Sequence, residues 1–451
     1  MSSFFTRNLK RDYPVCESAS GVWLTDTEGR TYLDGCSGAI VSNLGHKLNC
    51  INEAINKQLS QVAFAHTSQF LSEPGLELAE QLVELCPVDF RPGAKVYFTC
   101  GGSESVETAI KMARGFYYVQ GQSERRLLIS RWQSYHGNTL GALSATGHPA
   151  RRKPYQSILA DSIHINADYR YRCDCSISSE SCNSDACSLK RANELETAIL
   201  MHGPQNVMAF IAEPIVGATL GAAVPGKLYF KRIREICDKY NVLLIVDEVM
   251  TGLGRCAFNF AIEQFGVSPD IITLGKGLAS GYLPLGAVLA SGKVVEAFAK
   301  NGGVFEHGFT YSAHPVSCAA GLASIRYLRE HQLVEKVASK STEFFERLNQ
   351  FRKFEMVGDI RGRGYLAGIE LVSNREQKVP FPANLRISQL LSKHAMKHGL
   401  LLYPGSAFLD GSLGDHIMLA PPFTISDAEM DELMKRLELA FKESELSLSR
   451  Q

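Results

Sequence analysis

The stretch at residues 95–114 reads KVYFTCGGSESVETAIKMAR and contains the repeating unit that decides the fold. Its first six residues form a short apolar run, which predicts a buried strand. The remainder predicts an amphipathic helix, because apolar side chains recur three and four positions apart at Val106, Ala109, Ile110 and Ala113. Two glycines join the parts, so the stretch predicts a strand, a sharp turn and a helix, the unit of α/β proteins.

The same unit recurs on the C-terminal side of this stretch. The runs RLLIS, VMAFIAEP, VLLIVDE and DIITLG each predict a strand, and KLYFKRIREICDKYN predicts a helix among them. These strands are continuous apolar runs rather than alternating ones, which is typical of a sheet buried on both faces. Alternation over about 200 residues therefore predicts an open α/β domain with a mainly parallel central sheet.

The two ends of the chain differ from this centre. The N-terminal end contains GVWLTDTEGRTYLDG, which predicts a hairpin with its turn at Glu28 and Gly29. The C-terminal end carries helices and then short strands, such as GRGYLAGIELV. We therefore predict a large domain at residues 61–310 and a smaller α+β domain, which residues 1–60 and residues 311–451 form together.

Composition excludes several classes of function. The 451 residues include 47 basic and 47 acidic side chains, so the charge indicates no nucleic-acid partner and no membrane partner. The first residues, MSSFFTRNLKRDYP, lack the apolar core of a signal peptide, and no apolar run reaches the length of a membrane span. We therefore expect a cytoplasmic protein whose 12 cysteines are mostly reduced.

Three short motifs stand where a predicted strand ends. Gly102 and Ser103 open a helix whose unsatisfied N–H groups bind phosphate well, although a plain glycine turn is the alternative. Asp247 ends the run VLLIVDE, at the edge of the sheet where open α/β folds bind ligands; a helix cap or surface ion pair is the alternative. Tyr135 and His136 follow RLLIS, where the ring is suited either to stacking on a planar ligand or to packing.

A lysine stands in the apolar, glycine-rich segment IITLGKGLASGYLPLGA at residues 271–287. Lys276 lies between Gly275 and Gly277, which suggests a close backbone approach rather than a solvated loop. A lysine in an apolar pocket has a lowered pKa and becomes a nucleophile, whereas a surface lysine extends into solvent. A phosphate-binding turn, a carboxylate, a stacking ring and such a lysine together fit the chemistry of pyridoxal 5′-phosphate (PLP).

The chain resembles the class III aminotransferases, the ω-type branch of the PLP-dependent transferases of fold-type I. The resemblance covers nearly the whole chain and rests on motifs in the family's order, namely YHGNT, EPIVG, DEVMTGLGR, GKGLASGYLPLGA, FTYSAHPVSCAA and IRGRGYLAGIEL. It implies an α/β fold with a large PLP-binding domain and a smaller α+β domain. It also implies an enzyme that moves an amino group from an amine or amino-acid donor to an oxo-acid acceptor by a ping-pong mechanism.

By this resemblance, two residues carry the reaction. Lys276 matches the lysine that forms the Schiff base with PLP and later moves protons at the substrate carbon. Asp247 matches the acid that keeps the pyridine nitrogen protonated, so that the ring accepts electrons. The resemblance therefore makes both of them the expected catalytic residues.

Four further residues match positions around the cofactor ring. Val249 matches the residue that packs under one face of the ring, and Tyr135 matches the one that stacks on the other face. His136 is expected to support the Tyr135 loop. Glu213 of EPIVG matches a buried acid near the ring, whose part stays open.

Three residues match positions that bind the phosphate. Gly102 and Ser103 match the turn that holds the phosphate within one subunit. Thr310 matches a threonine that reaches the phosphate of the neighbouring subunit's cofactor. The resemblance therefore implies a homodimer whose active sites are shared across the interface.

Three positions depart from the commoner family pattern. Met250 stands where many members have a glutamine that donates to the ring hydroxyl. Ala218 and Met418 stand where members that use 2-oxoglutarate have a glutamate and an arginine. The segment FLDGSLGDH also lacks the arginine that some pyruvate-using members carry there. The carboxylate anchor is thus open; we expect pyruvate as the acceptor and a donor whose primary amine lies away from a carboxylate.

Two other functions stay open. One is another PLP reaction on the same scaffold, such as racemisation, aminomutation or decarboxylation. The other is a non-catalytic, metal-regulated binding protein, suggested by the cysteines of CDCSISSESCNSDAC, which are Cys173, Cys175, Cys182 and Cys187. Their spacing does not match the paired spacing of zinc sites, so reduced thiols in an exposed loop are favoured and no metal site is predicted.

Overall fold

The computed structural model of the chain describes residues 3–173 and 185–450. Strands and helices are numbered in chain order. The strands are β1 Cys16–Ser20, β2 Trp23–Asp26, β3 Thr31–Asp34, β4 Lys95–Thr99, β5 Leu127–Arg131, β6 Ile163–Ile165, β7 Val207–Ala212, β8 Leu243–Asp247, β9 Ile271–Leu274, β10 Gly286–Ala290, β11 Val357–Arg363, β12 Leu366–Leu371, β13 Leu400–Leu401, β14 Tyr403–Ser406 and β15 Asp415–Leu419.

The helices range from single turns to six turns. They are α1 Ser37–Ile40, α2 Asn49–Gln61, α3 Glu73–Leu85, α4 Gly102–Tyr118, α5 Leu140–Ala145, α6 Pro149–Arg152, α7 Asp185–His202, α8 Tyr229–Tyr240, α9 Gly292–Lys300, α10 Pro315–Glu330, α11 Leu333–Asn349, α12 Ile387–Lys397 and α13 Asp427–Leu448. None of the described helices is both long and apolar enough to cross a membrane.

The central sheet confirms the predicted α/β architecture. Within the described residues it has seven strands in the order β4-β10-β9-β8-β7-β5-β6. Strands β5 to β9 pair in parallel, whereas β10 is antiparallel to both of its neighbours. The sheet is therefore mixed but mainly parallel, as predicted.

Strand β8 explains why the predicted strands are continuous apolar runs. Its side chains point alternately to the two faces of the sheet. Leu244 and Val246 belong to the core shared with α7 and α8, while Leu243 and Ile245 belong to the core shared with α4. Because helices cover both faces, every position of the strand before Asp247 must be apolar.

The two ends of the chain pair with each other beside this sheet. The predicted N-terminal hairpin is confirmed, since β2 and β3 are antiparallel and Glu28 and Gly29 lie between them. From the C-terminal part, β13 joins this hairpin by pairing in parallel with Leu33 and Asp34 of β3. A third sheet has the order β11-β12-β15-β14. The domain boundaries at residues 60 and 310 stay a prediction.

One buried arginine ties both ends of the chain to the central sheet. Arg255, shortly after β8, donates from Nη1 to the carbonyl oxygens of Tyr365 and Pro421 at 3.0 and 2.7 Å. Its Nη2 donates to Ser37 Oγ and Asn43 Oδ1 at 3.2 and 2.6 Å. Burial lowers the pKa of this guanidinium to about 9. Four neutral oxygens thus accept from the two terminal nitrogens of the guanidinium, and they connect the loop after β8 to segments from both ends of the chain.

The cysteine-rich loop is described only at its ends. Cys173 and Cys187 are half-buried, whereas Cys175 and Cys182 lie outside the described residues. In the described parts of the chain, no group of three or more histidine, cysteine or acidic side chains could hold a metal ion. The prediction that this loop holds no metal therefore remains untested.

Candidate active site

Five loops at one edge of the central sheet form a cavity. They follow β4, β5, β7, β8 and β9, which run in the same direction, so the loops emerge side by side. The cavity has a volume of about 160 Å³ and is lined by Gly102, Ser103, Tyr135, His136, Gly137, Glu213, Asp247, Val249, Met250 and Lys276. Eight of the nine site residues predicted from the sequence belong to this lining, and Thr310 does not.

Asp247 is buried at the end of β8 and accepts three hydrogen bonds. His136 Nδ1 donates to Oδ2 at 2.8 Å, since a carboxylate can only accept. Thr273 Oγ1 and the backbone N–H of Val249 donate to Oδ1 at 3.0 and 3.1 Å. Three donors compensate the carboxylate for the water that it loses on burial. They also fix the direction of its oxygens, which leaves it suited to pairing with a buried cationic nitrogen.

His136 contacts Asp247 directly, in addition to lying in the Tyr135 loop. Its backbone N–H donates to Thr146 Oγ1 at 2.9 Å, which fixes the loop. Its Nε2 is buried and has no hydrogen-bond partner among the described residues. One ring nitrogen of the imidazole is therefore bonded to Asp247, and the other is unpaired among the described residues.

Glu213 supports the Tyr135 loop from the end of β7. Its Oε2 accepts from the backbone N–H of Tyr135 at 3.2 Å, and its Oε1 accepts from that of Gly217 at 3.1 Å. Arg131 Nη2 donates to the Glu213 carbonyl oxygen at 2.5 Å. Burial raises the pKa of the Glu213 carboxyl, and the nearby Asp247 charge acts in the same direction. Glu213 thus positions the backbone of Tyr135.

Lys276 follows β9 and is half-buried in the cavity. Its backbone φ of +42° is in the left-handed region, which non-glycine residues adopt rarely and which is common at functional sites. Burial lowers the pKa of its amine to about 8, although the charges of Asp247 and Glu213 oppose that shift. A lysine with this pKa has a substantial neutral fraction near pH 8, so its Nζ is a competent nucleophile.

Two glycines bring the lysine loop against the start of α4. A Cβ on Gly102 would lie 2.6 Å from Val249 Cγ1, and a Cβ on Gly275 would lie 3.1 Å from the Gly102 backbone. Larger residues at these positions would push the two loops apart. Ser103 Oγ accepts from the Asn138 N–H at 3.0 Å, which links this turn to the Tyr135 loop. The backbone N–H groups of the first turn of α4 therefore form one boundary of the cavity, where an anion is favoured.

Tyr135 and Val249, which are predicted to bind the cofactor ring, differ in placement from Thr310. Tyr135 and Val249 are half-buried in the cavity lining. Thr310 is exposed in a turn and lies outside that lining. Within one copy of the chain, the structure therefore does not bring Thr310 to the cavity.

We call Asp247, His136, Thr273 and Lys276 the polar floor, and Ala218, Met250 and Met418 the apolar wall. Ala218 and Met418 are buried in an apolar cluster against which Met250 packs. Met250 is also part of the cavity lining. The two positions where the resemblance implies a glutamate and an arginine in some members thus lie in an uncharged cluster next to Met250, and they are themselves outside the cavity lining.

Sequence reasoning missed two residues near the cavity. Thr273 lies inside β9 rather than after it, but it is the register partner of Asp247 in the parallel pair. The register of β8 against β9 is the signal that could have identified Thr273. Arg151 belongs to the short basic run RRKP at residues 151–154, which by itself indicates a solvated loop, yet its guanidinium lies over the Tyr135 ring, 4.7 Å from the ring centre.

Comparison with known proteins gives one consistent family. The family model for class III aminotransferases matches residues 6–441. An uncharacterized aminotransferase, YodT, of Bacillus subtilis (strain 168) is 39% identical, and the match covers 96% of both chains.

Two solved structures share this fold across nearly the whole chain. One is a thermostable (S)-enantioselective omega-transaminase from Thermomicrobium roseum, with 36% identity, a TM-score of 0.91, and 98% of this chain and 96% of that chain covered. The other is an amine transaminase from an uncultivated Pseudomonas species in its PLP-bound form, with 30% identity, a TM-score of 0.89 and 98% of each chain covered.

Proposed function

The chain belongs to the class III aminotransferases, a PLP-dependent family of fold-type I, and we propose that its cavity is the site of amino transfer. In this proposal an amine or amino acid gives up its amino group, and an oxo acid accepts it in a second half-reaction. The observation that carries the proposal is the meeting of Lys276, Asp247 and the N-terminus of α4 in one cavity.

The residues of the cavity fit the phosphate, the pyridine nitrogen, the attachment point and both ring faces of PLP. The first turn of α4, at Gly102 and Ser103, is suited to the phosphate, since it presents backbone N–H groups. The fixed carboxylate of Asp247 is suited to the protonated pyridine nitrogen. Lys276 Nζ is suited to covalent attachment, and Tyr135 and Val249 to the two faces of the ring. When bound, PLP supplies an electron sink next to the amine-bearing carbon of the substrate.

The polar floor holds the carboxylate proposed to face the pyridine nitrogen in one orientation. His136 and Thr273 restrain opposite oxygens of Asp247 by hydrogen bonds of 2.8 and 3.0 Å. Preorganised groups of this kind stabilise developing charge without reorganising during the reaction. We therefore infer that His136 and Thr273 act through Asp247 as positioning residues.

Lys276 also moves the proton in this proposal. Its Nζ takes the proton from the amine-bearing carbon of the donor as a general base and returns a proton during the second half-reaction. A pKa of about 8 suits both directions, because the amine gains and loses a proton readily near neutral pH. The left-handed backbone and Gly275 hold the lysine close to the first turn of α4.

We infer that the active unit is a homodimer with shared active sites. Phe70, Leu71 and Tyr311 are 67%, 68% and 57% exposed, and Phe64 packs on Tyr311 with ring centroids 5.8 Å apart. Exposed apolar patches of this kind mark interaction surfaces. Thr310 adjoins this patch, so a second copy seated on it would bring Thr310 close to the partner's cavity. Sedimentation should give a dimer, and Phe70→Lys should weaken it; a fully active monomer would contradict the inference.

The apolar wall supports pyruvate as the acceptor over 2-oxoglutarate. The second carboxylate of 2-oxoglutarate would have no cationic partner at Ala218 and Met418, and an unpaired buried charge is costly. A small oxo acid with a single carboxylate avoids this cost. The donor is proposed to be an amine, or an amino acid whose reacting amine lies away from its carboxylate.

The decisive experiment is the stoichiometry of amino transfer. Purified protein with PLP is incubated with a panel of amine donors, with pyruvate, with 2-oxoglutarate, or with no acceptor. We expect one equivalent of alanine for each equivalent of donor consumed, and no net reaction without an oxo acid. Racemisation, aminomutation or decarboxylation would proceed without an acceptor, and that outcome would replace the proposed function.

A further inference from the structure

We propose that Arg151 binds the carboxylate of the oxo-acid acceptor, a role that rests on the proposed function of the cavity. Arg151 belongs to α6, the single turn Pro149–Arg152 that follows the Tyr135 loop. Its guanidinium lies 4.7 Å above the ring of Tyr135, a residue of the cavity lining. This contact places a cation against one of the residues that line the cavity.

Two other arginines near Arg151 are buried and already donate to backbone carbonyl oxygens. Arg152 is buried and donates from Nη1 to the carbonyl oxygens of Leu143, Ser144 and Thr146. Arg131 is buried and donates to the Glu213 carbonyl oxygen. Arg151 is exposed, and none of the carboxylates in the described parts of the chain forms an ion pair with it. Its charge therefore remains available to a ligand.

The stacked geometry prepares the guanidinium for a carboxylate. A guanidinium that lies over an aromatic ring keeps the N–H donors at its edge, which form two parallel bonds to a carboxylate. The ring also limits the rotamers of the long side chain, so less freedom is lost when the ligand binds. Tyr135 thus serves two partners, since its ring lines the cavity and supports Arg151.

The charge of Arg151 affects the pKa of the Lys276 amine. It contributes to the lowered pKa of Lys276, whose first cause is burial. It also acts on the Tyr135 hydroxyl, as does Arg7 of the N-terminal segment. Two cations from distant parts of the chain therefore act on one residue of the cavity lining, and positive charge there attracts an anionic substrate.

The loop at residues 408–416, next to α6, contains no arginine that could take this role instead. Its sequence is FLDGSLGDH. This loop packs on α6, since a Cβ on Gly411 would lie 3.2 Å from Pro149 Cβ. Arg151 therefore supplies a cation next to a loop that lacks one.

The test compares two acceptors that differ in the carboxylate. With the carboxylate-free donor 1-phenylethylamine, kcat/KM is measured for pyruvate and for propanal in wild type, Arg151→Gln, Arg151→Lys and Lys153→Gln. We expect Arg151→Gln to lower kcat/KM for pyruvate about 10- to 100-fold, the effect of losing one charge-assisted bidentate contact, and to leave propanal within about twofold. Arg151→Lys should lower kcat/KM for pyruvate by a smaller factor. Lys153 is an exposed cation two residues away, and Lys153→Gln should have the kcat/KM of wild type.

A binding measurement makes the result independent of turnover. Ligand-observed NMR gives the affinity of the PLP-bound protein for propanoate, a carboxylate that cannot react. We expect wild type and Lys153→Gln to bind propanoate and Arg151→Gln to bind it at least about tenfold more weakly. Equal losses with pyruvate and propanal, or unchanged propanoate binding, would overturn the role of Arg151. A wild-type protein that binds propanoate through Arg151 but transfers no amino group would instead count against the proposed function alone.

Discussion

The polar floor and the apolar wall are stabilised in different ways, the first by hydrogen bonds to a buried carboxylate and the second by apolar packing. In the polar floor, each oxygen of Asp247 has a hydrogen-bond donor, and Lys276 keeps a lowered pKa. In the apolar wall, Met418 is fully buried among apolar side chains. The polar floor holds charge where the family's chemistry needs it, whereas the apolar wall offers charge no partner. The proposed function thereby assigns the reaction type and the substrate range to two different groups of residues.

The largest effect is expected for Lys276→Ala in the polar floor. The variant loses both the attachment point and the base, so amino transfer should fall by at least about 1,000-fold. Borohydride reduction followed by mass spectrometry should fix PLP to wild type and to Lys300→Ala, an exposed control, but not to Lys276→Ala. Activity near the wild-type rate in Lys276→Ala would remove Lys276 from the mechanism.

The pH dependence of cofactor attachment should report the lowered pKa of Lys276. Only the neutral amine reacts, and burial lowers its pKa to about 8, so the rate of PLP attachment to cofactor-free protein should rise through pH 8 and then level off. An ordinary lysine would level off only near pH ~10.4. Because the charge of Asp247 raises this pKa, Asp247→Asn should move the midpoint to lower pH. A stopped-flow rate that still rises above pH 10 would contradict this prediction.

A charge placed in the apolar wall should destabilise the fold. Met418→Arg buries a cation without a partner, so the free energy of unfolding should fall by about 3–5 kcal/mol. Ala218→Glu combined with Met418→Arg should recover part of this loss by pairing. The control Met418→Leu, of similar volume, should cost less than about 1.5 kcal/mol. Urea unfolding measures all four proteins, and full stability of Met418→Arg would show that the wall tolerates charge.

The smallest effect is expected for Thr273→Val. This change removes one of three donors to Asp247 and keeps the shape of the side chain, so kcat should fall about 5- to 10-fold, equivalent to about 1 kcal/mol. Thr197→Val, at an exposed site of α7, is the matched control and should leave kcat unchanged. An unaltered kcat in Thr273→Val would mean that Val249 and His136 alone orient the carboxylate.

Local patterns were sufficient to predict the elements that build the site. The run before Asp247 is apolar because helices cover both faces of β8, and that requirement is visible in one short segment. Residues that stand directly after such runs emerge at the same sheet edge, so the positions of Asp247, Lys276 and the Gly102 turn in the chain are enough to group them. Their chemical roles stay predictions until the variants are measured.

Contacts between distant segments could not be predicted in the same way. Thr273 looks like any residue of a buried strand until its register with Asp247 is known. Arg151 looks like part of a solvated basic run until the chain folds its guanidinium over Tyr135. Thr310 is not part of the cavity lining of its own chain, so its expected role depends on a second copy.

The sequence by itself determined the strand–turn–helix units and the family, and it predicted the catalytic residues, because periodicity, motifs and strand ends are local properties. Only the tertiary structure decided that Asp247 has three donors, that Glu213 holds the Tyr135 backbone and that an exposed arginine stands over the Tyr135 ring. These are distances between residues far apart in the chain, and the packing of whole elements sets them.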